Sequence, residues 1–195
     1  MRGRAPSGAP FLRSWWPTLD AIDFFVYSRA DPTAPEVEHE RALDEEHWSY
    51  MDRFAGGMTA RGPTLGPDRE TWTGSIHIVD LPSAEAAREF VDREPYNRAG
   101  LFEHHLIFRF TNRLGRTMWE FHGEAGEPRF FVIARAAFTA PPRERLIVHG
   151  DLLTPEDGTP AGAVVALEAP TREAVDELLD AQDVEILDWE FGGRR

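Results

Sequence analysis

Apolar and polar positions along the first two thirds of the chain alternate in stretches that switch between a period of two and a period near 3.6. Asp23 to Arg29 is dense in aromatic and β-branched residues and predicts a strand. The run Asp31-Pro32-Thr33-Ala34-Pro35 breaks it. From Glu36 to Ala55, residues Leu43, His47, Tyr50, Met51 and Phe54 recur on one helical face, and Gly56-Gly57 stops the helix. Met58 to Leu65 and Trp72 to Val79 predict two strands around a turn at 66–70. Ser83 to Val91 predicts a second helix with Ser83 as its N-cap, and Leu101 to Phe110 a fourth strand. The order β-α-β-β-α-β is the ferredoxin-like split βαβ unit, so the fold class is α+β.

The rest of the chain repeats this unit with losses. Phe24-Phe25-Val26 returns as Phe130-Phe131-Val132, an offset of 106 residues. Gly62, Gly74, Pro82, Glu85 and Asp92 return as Gly150, Gly162, Pro170, Glu173 and Asp180, all 88 residues on, and Phe110 returns as Phe191, 81 on. The falling offsets place deletions of 18 and 7 residues where the first helix and the 94–96 loop should be. Two tandem repeats packed as a pseudo-dimeric α+β barrel are the expected architecture. The division is an N-terminal arm over 1–20, in which Trp15-Trp16 pack on the body, a site-bearing unit over 21–122, and a degenerate repeat over 129–195.

In the third strand Ser75, His77 and Val79 share one face, Ile76 and Ile78 the other. Placing the isoleucines under the helices turns Ser75 and His77 into the barrel, where a ligand would sit. A histidine satisfied by a neighbour is the other reading of His77.

Composition narrows the function. The chain has 195 residues, 42% of them apolar, and a formal net charge of −13. That balance opposes nonspecific nucleic-acid binding and adsorption to anionic membrane. No apolar run spans a bilayer, and the basic start Met1-Arg2-Gly3-Arg4 is followed by no signal-peptide core, so the expected place is the cytoplasm. With no cysteine there is no thiol nucleophile, disulfide framework or Cys-based zinc site. His39, His47, His77, His104 and His105 lie among many acids, yet no His-x-x-x-His or HExxH spacing occurs, and no metal or organic cofactor is expected. Nucleotide loops and the GxSxG elbow are also missing. Tyr27, Tyr50 and Tyr96 are candidate hydrogen-bond donors to a bound carbonyl or phenol, and Arg29 and Arg61 candidate partners of an anionic oxygen. Six Trp and thirteen Phe suit a pocket for a ring-shaped ligand and a plain core equally well.

The motifs Gly74-Ser75, Glu94-Pro95-Tyr96 and Gly100-Leu101, within some 90 residues from Asp23 to Arg113, resemble the YCII-related family. The resemblance implies a ferredoxin-like fold that pairs into α+β barrels, typically as dimers, so a homodimer is expected unless the fused repeat replaces the partner. It also implies an acid–base pair on His47 and Glu94, with Ser75, His77, Tyr96, Tyr27 and Arg61 as pocket contacts. Two departures stand out. Glu94 replaces the family's aspartate, and Asp44 stands where an arginine is usual. On spacing alone, His47 as a half-buried helix residue with Glu94 as a surface acid remains open. Related barrels include dehydrochlorinase-like and muconolactone-isomerase-like enzymes, so the resemblance points to a lyase or isomerase acting on a small aromatic or polyketide-like molecule. A binding or structural protein without turnover is the alternative.

Overall fold

The computed structural model describes residues 22–34, 41–123, 126–135, 138–179 and 182–193. The expected arm over 1–20, the start of the first helix and His39 lie outside them.

Eight antiparallel strands close into a barrel. The first half supplies β1 (Ile22–Ala30), α1 (Arg41–Asp52), β2 (Met58–Leu65), β3 (Trp72–Leu81), α2 (Ala84–Asp92), α3 (Pro95–Arg98) and β4 (Phe102–Asn112). The second half supplies β5 (Arg129–Ala134), β6 (Leu146–Leu153), β7 (Pro160–Glu168), α4 (Arg172–Leu179) and β8 (Val184–Trp189). The strand order around the barrel is β1-β3-β2-β8-β5-β7-β6-β4. Each half is thus a four-stranded 4-1-3-2 sheet, and the halves join twice, β2 to β8 and β4 to β6. Ser83 caps α2 as expected, its hydroxyl accepting from the Ala86 N–H at 3.2 Å.

Strand register bears out the internal repeat. Val26 faces His77 and Gly62 faces Ile76 in the first half; Val132 faces Val165 and Gly150 faces Val164 in the second, reproducing offsets of 106 and 88. Gly74 and Gly162 both hold positive φ, +150° and +137°, and a Cβ on either would strike a main-chain carbonyl, Ser28 in one half and Ala134 in the other. The last strand needs a correction. Phe110 pairs with Leu152 and Thr64 with Trp189, so Trp189, not Phe191, is the counterpart of Phe110. The offset there is 79 and the second deletion nine residues, not seven. Aromatic side chains two apart on a strand share a face, so matching letters could not choose between 189 and 191. Where the first helix would be, the described residues before β6 hold a 3₁₀ turn, Arg143–Arg145.

The expected facing of β3 is reversed. Ile76 and Ile78 point into the barrel with Phe25, Tyr27, Phe131, Ile147, Leu152 and Trp189. Val79 points outward with Phe24 and Val26, against Tyr50, Met51 and Phe90 of the helices. Ser75 and His77 therefore lie outside the barrel. A closed eight-stranded barrel has an interior just wide enough for apolar side chains to fill, and the isoleucines go there. Side chains fill it.

The two glycines that meet the opposite half make the seams close. A Cβ on Gly150 would strike the Phe110 ring; one on Gly62 would strike the Glu190 carbonyl and lie 2.8 Å from Trp189 Nε1. Trp189 is fully buried, with its ring edge on Phe131 at 5.6 Å. Trp189→Ala is expected to cost about 3–5 kcal/mol, the range for emptying a core aromatic site, read as a fall in the midpoint of urea unfolding.

Candidate functional site

Glu94 is placed by a helix start. Pro95 occupies the first position of α3 and Glu94 its N-cap, where Oε2 accepts the Asn97 N–H at 2.8 Å. The segment expected as a loop is therefore one helical turn. The cap turns the other oxygen, Oε1, onto His47 Nδ1 at 2.6 Å. Both side chains are largely withdrawn from water, 5% exposed for Glu94 and 13% for His47. A carboxylate can only accept, so Nδ1 carries the proton of this bond, and Nε2 is the ring nitrogen left outside it.

Tyr96, two residues past the cap, stacks on the His47 ring with centroids 4.2 Å apart and planes 9° from parallel. Its hydroxyl donates to Asp44 Oδ1 at 2.7 Å. The residue that departs from the resembled pattern thus anchors the tyrosine that braces the histidine. Burial, then the hydrogen bond and charge of Asp44, raise the Tyr96 phenol well above its usual value, so it stays a donor. Trp72 meets Tyr96 edge-on at 5.8 Å.

His47, Tyr96 and Trp72 border a cavity of about 260 Å³ between the outer face of β2–β3 and α1. His47, Met51, Arg61, Trp72, His77 and Tyr96 form much of its wall, and Ser75 reaches it too. Arg61 and His77 are direct cross-strand neighbours. His77 is 5% exposed; burial first, then the charges of His47 and Arg61, push its pKa down to about 3. It stays neutral at ordinary pH.

Of the seven candidates, His47, Glu94, Tyr96, Ser75, His77 and Arg61 come together here, though outside the barrel. Tyr27 does not. Its ring belongs to the barrel core and borders a separate cleft with Arg29, whose guanidinium is bound to Glu185 at 2.6 Å. Tyr50 donates to the Phe90 carbonyl at 2.8 Å, a packing role, and burial pushes it up to about 12. His105 bridges Ser28 Oγ at 2.9 Å and Asn97 Oδ1 at 3.0 Å, while His104 is exposed. Among the described residues no three His, Asp or Glu side chains gather to hold a metal ion, and no helix is long and apolar enough to cross a membrane.

Asp44, Asn97 and the Gly192-Gly193 segment were missed as site components. Asp44 lies three residues before His47, hence on the same helix face, a signal that was present. Asn97 was legible as the third residue after a capping acid followed by proline. Nothing local marks Gly192-Gly193, which reach the cavity from the other half.

Residues 23–111 match the model of the YCII-related domain. Among solved structures, the 5-chloro-2-hydroxyhydroquinone dehydrochlorinase of Burkholderia phenoliruptrix AC1100, in complex with 2,5-dihydroxybenzoquinone, is 26% identical over 44% of this chain and 89% of its own, with a TM-score of 0.38. A chlorite dismutase-like protein is 10% identical over 88% of this chain and 96% of its own, TM-score 0.50. An anthrone oxidase-like protein is 11% identical over 90% and 92%, TM-score 0.46. At such identities the chlorite dismutase-like structure speaks for the shared α+β barrel fold alone. No curated protein sequence matches the chain.

His77 yields a stability prediction. Its folded pKa of about 3 lies below the ordinary 6.5, so between those values the unfolded chain binds a proton that the native state refuses. Stability should therefore fall as pH drops below 6.5, by up to about 1.4 kcal/mol per pH unit from this group. Urea midpoints at pH 7 and pH 5 should show a flatter decline in His77→Leu than in wild type.

Proposed function

We propose that this chain, which carries a YCII-related domain across residues 23–111, is an acid–base enzyme that moves a proton on a small ring-shaped molecule without an organic cofactor. The observation that carries the proposal is the 2.6 Å contact between a nearly buried Glu94 and His47 at the wall of the cavity. Structural ion pairs do not need a free ring nitrogen beside an open space; a general base does.

In this reading Nε2 of His47 takes a proton from a carbon next to a substrate carbonyl. The positive charge that develops on the imidazolium is met by Glu94, and Tyr96 keeps the ring in plane. The proton then returns to a different carbon, giving an isomerase, or to a departing group, giving a lyase. His77, held neutral, and Ser75 offer hydrogen bonds to the polarised carbonyl. A cavity of about 260 Å³ suits one substituted ring, since about 150 Å³ already holds benzene.

The same reading makes residues 21–122 the site-bearing unit and 129–195 the unit that completes the barrel, standing where a partner subunit would. A homodimer built on the outer surface is compatible with it. The chain acts on a small molecule in the cytoplasm, with neither nucleic acid nor membrane as partner.

The test is conjugation of β,γ-unsaturated cyclic ketones and lactones, followed by ultraviolet absorbance. Wild type should accelerate at least one of them, and His47→Gln should lower that rate by about 10²–10⁴-fold. Glu94→Gln, which keeps the cap of α3, should lower it less. Tight binding of these compounds with no acceleration by wild type would favour a ligand-binding protein without turnover.

A further inference from the structure

We infer that the molecule this cavity takes is an anion, a ring bearing a carboxylate or phenolate, and that the second half of the chain sets the arginine that reads it. The inference rests on the cavity above being the functional site.

Arg61 is the reason. It projects from the outer face of β2, borders the cavity, and has a side chain only 12% exposed. Its Nε–H is buried with no acceptor among the described residues. Its ion pair is loose: Asp52 Oδ1 stands 3.9 Å from Nη1, beyond hydrogen-bond reach, and Asp52 is half-exposed. The other polar groups nearby do not neutralise it. Glu94 is committed to His47 and to the cap of α3, and His77 across the strand is neutral. Among the described residues that line the cavity, Arg61 is the one with a fixed charge. A buried guanidinium with an unmet donor is costly to keep unless something completes it, and a carboxylate matches its planar fork.

The parts that position Arg61 lie beyond residues 23–111. Its N–H donates to Met118 Sδ at 3.3 Å, and its guanidinium carbon stands 6.0 Å from the Trp119 ring. The Gly192 N–H donates to the Arg61 carbonyl at 3.0 Å. Gly193, at φ +108°, lies flat against the guanidinium, and a Cβ there would strike it. The two glycines follow β8, so the degenerate half, which has lost its own histidine and acid, still shapes the one site that remains. Gly192-Gly193 act as positioning residues, and Arg61 as the binding residue.

Calorimetric titration with benzoate and with its neutral isostere benzamide tests this. Wild type should prefer benzoate by at least tenfold, and the preference should shrink as salt is raised. Arg61→Gln should abolish the preference, and Gly193→Ala should weaken benzoate by several-fold with little change in benzamide. His47→Gln should keep the preference, which separates this inference from the acid–base reading. No benzoate binding by wild type, equal affinity for the two probes, or unchanged preference in Arg61→Gln overturns it. Should Arg61→Gln fail to fold, Arg61→Lys serves in its place: a retained but weaker preference supports the inference, and full affinity with the fork removed overturns the claim of fork recognition.

Discussion

Closure of the barrel is the constraint from which the site follows. Once eight strands meet, the interior has room for side chains and little else, and Phe25, Ile76, Ile78, Phe131, Ile147 and Trp189 occupy it. Strand alternation then leaves no choice for the residues between them. Arg61, Ser75 and His77 must face outward, into the layer covered by α1 and α2. The polar chemistry sits under the helices because the apolar chemistry claimed the centre.

Within that layer one helix terminus organises the rest. Glu94 has two oxygens and gives each a different task, one to the first turn of α3 and one to His47. A carboxylate fixed by a main-chain donor cannot swing away from the imidazole, so the extra methylene relative to aspartate is absorbed without loss of contact. Tyr96 and Asp44 close the arrangement from the other side, stacking on the ring and holding the stack in place. The result is a histidine with one nitrogen and one face engaged, at the wall of the cavity.

The two halves share a fold and have diverged in use. Where the first half places His77, the second has Val165, and where the first has Arg61, the second has His149. Among its described residues the copy has no counterpart of α1 or α3, the elements that carry His47 and, at its N-cap, Glu94. What the copy retains is what a barrel needs, namely four strands, one covering helix and the glycines at the seams. Its contribution at the cavity is steric and comes from chain beyond its last strand. Such a contribution needs none of the copy's side chains, because it depends on backbone position alone.

Much was legible in the chain itself. The periodicities located the strands and helices, β2 to the residue, because each element buries one face and local spacing reports which residues share it. Repeated letters at constant offsets disclosed the duplication, and the Glu-Pro-Tyr motif with His47 marked a pair of groups able to exchange a proton. Three things needed the folded molecule. Which face of β3 turns inward depends on the relative dryness of two apolar layers, and alternation is the same for either choice. That Trp189, not Phe191, corresponds to Phe110 in the repeat follows from inter-strand register, and two aromatics two residues apart are equivalent by pattern. The approach of Gly193 to Arg61 joins residues more than a hundred positions apart, and a glycine carries no side chain by which a sequence could announce what it lies against.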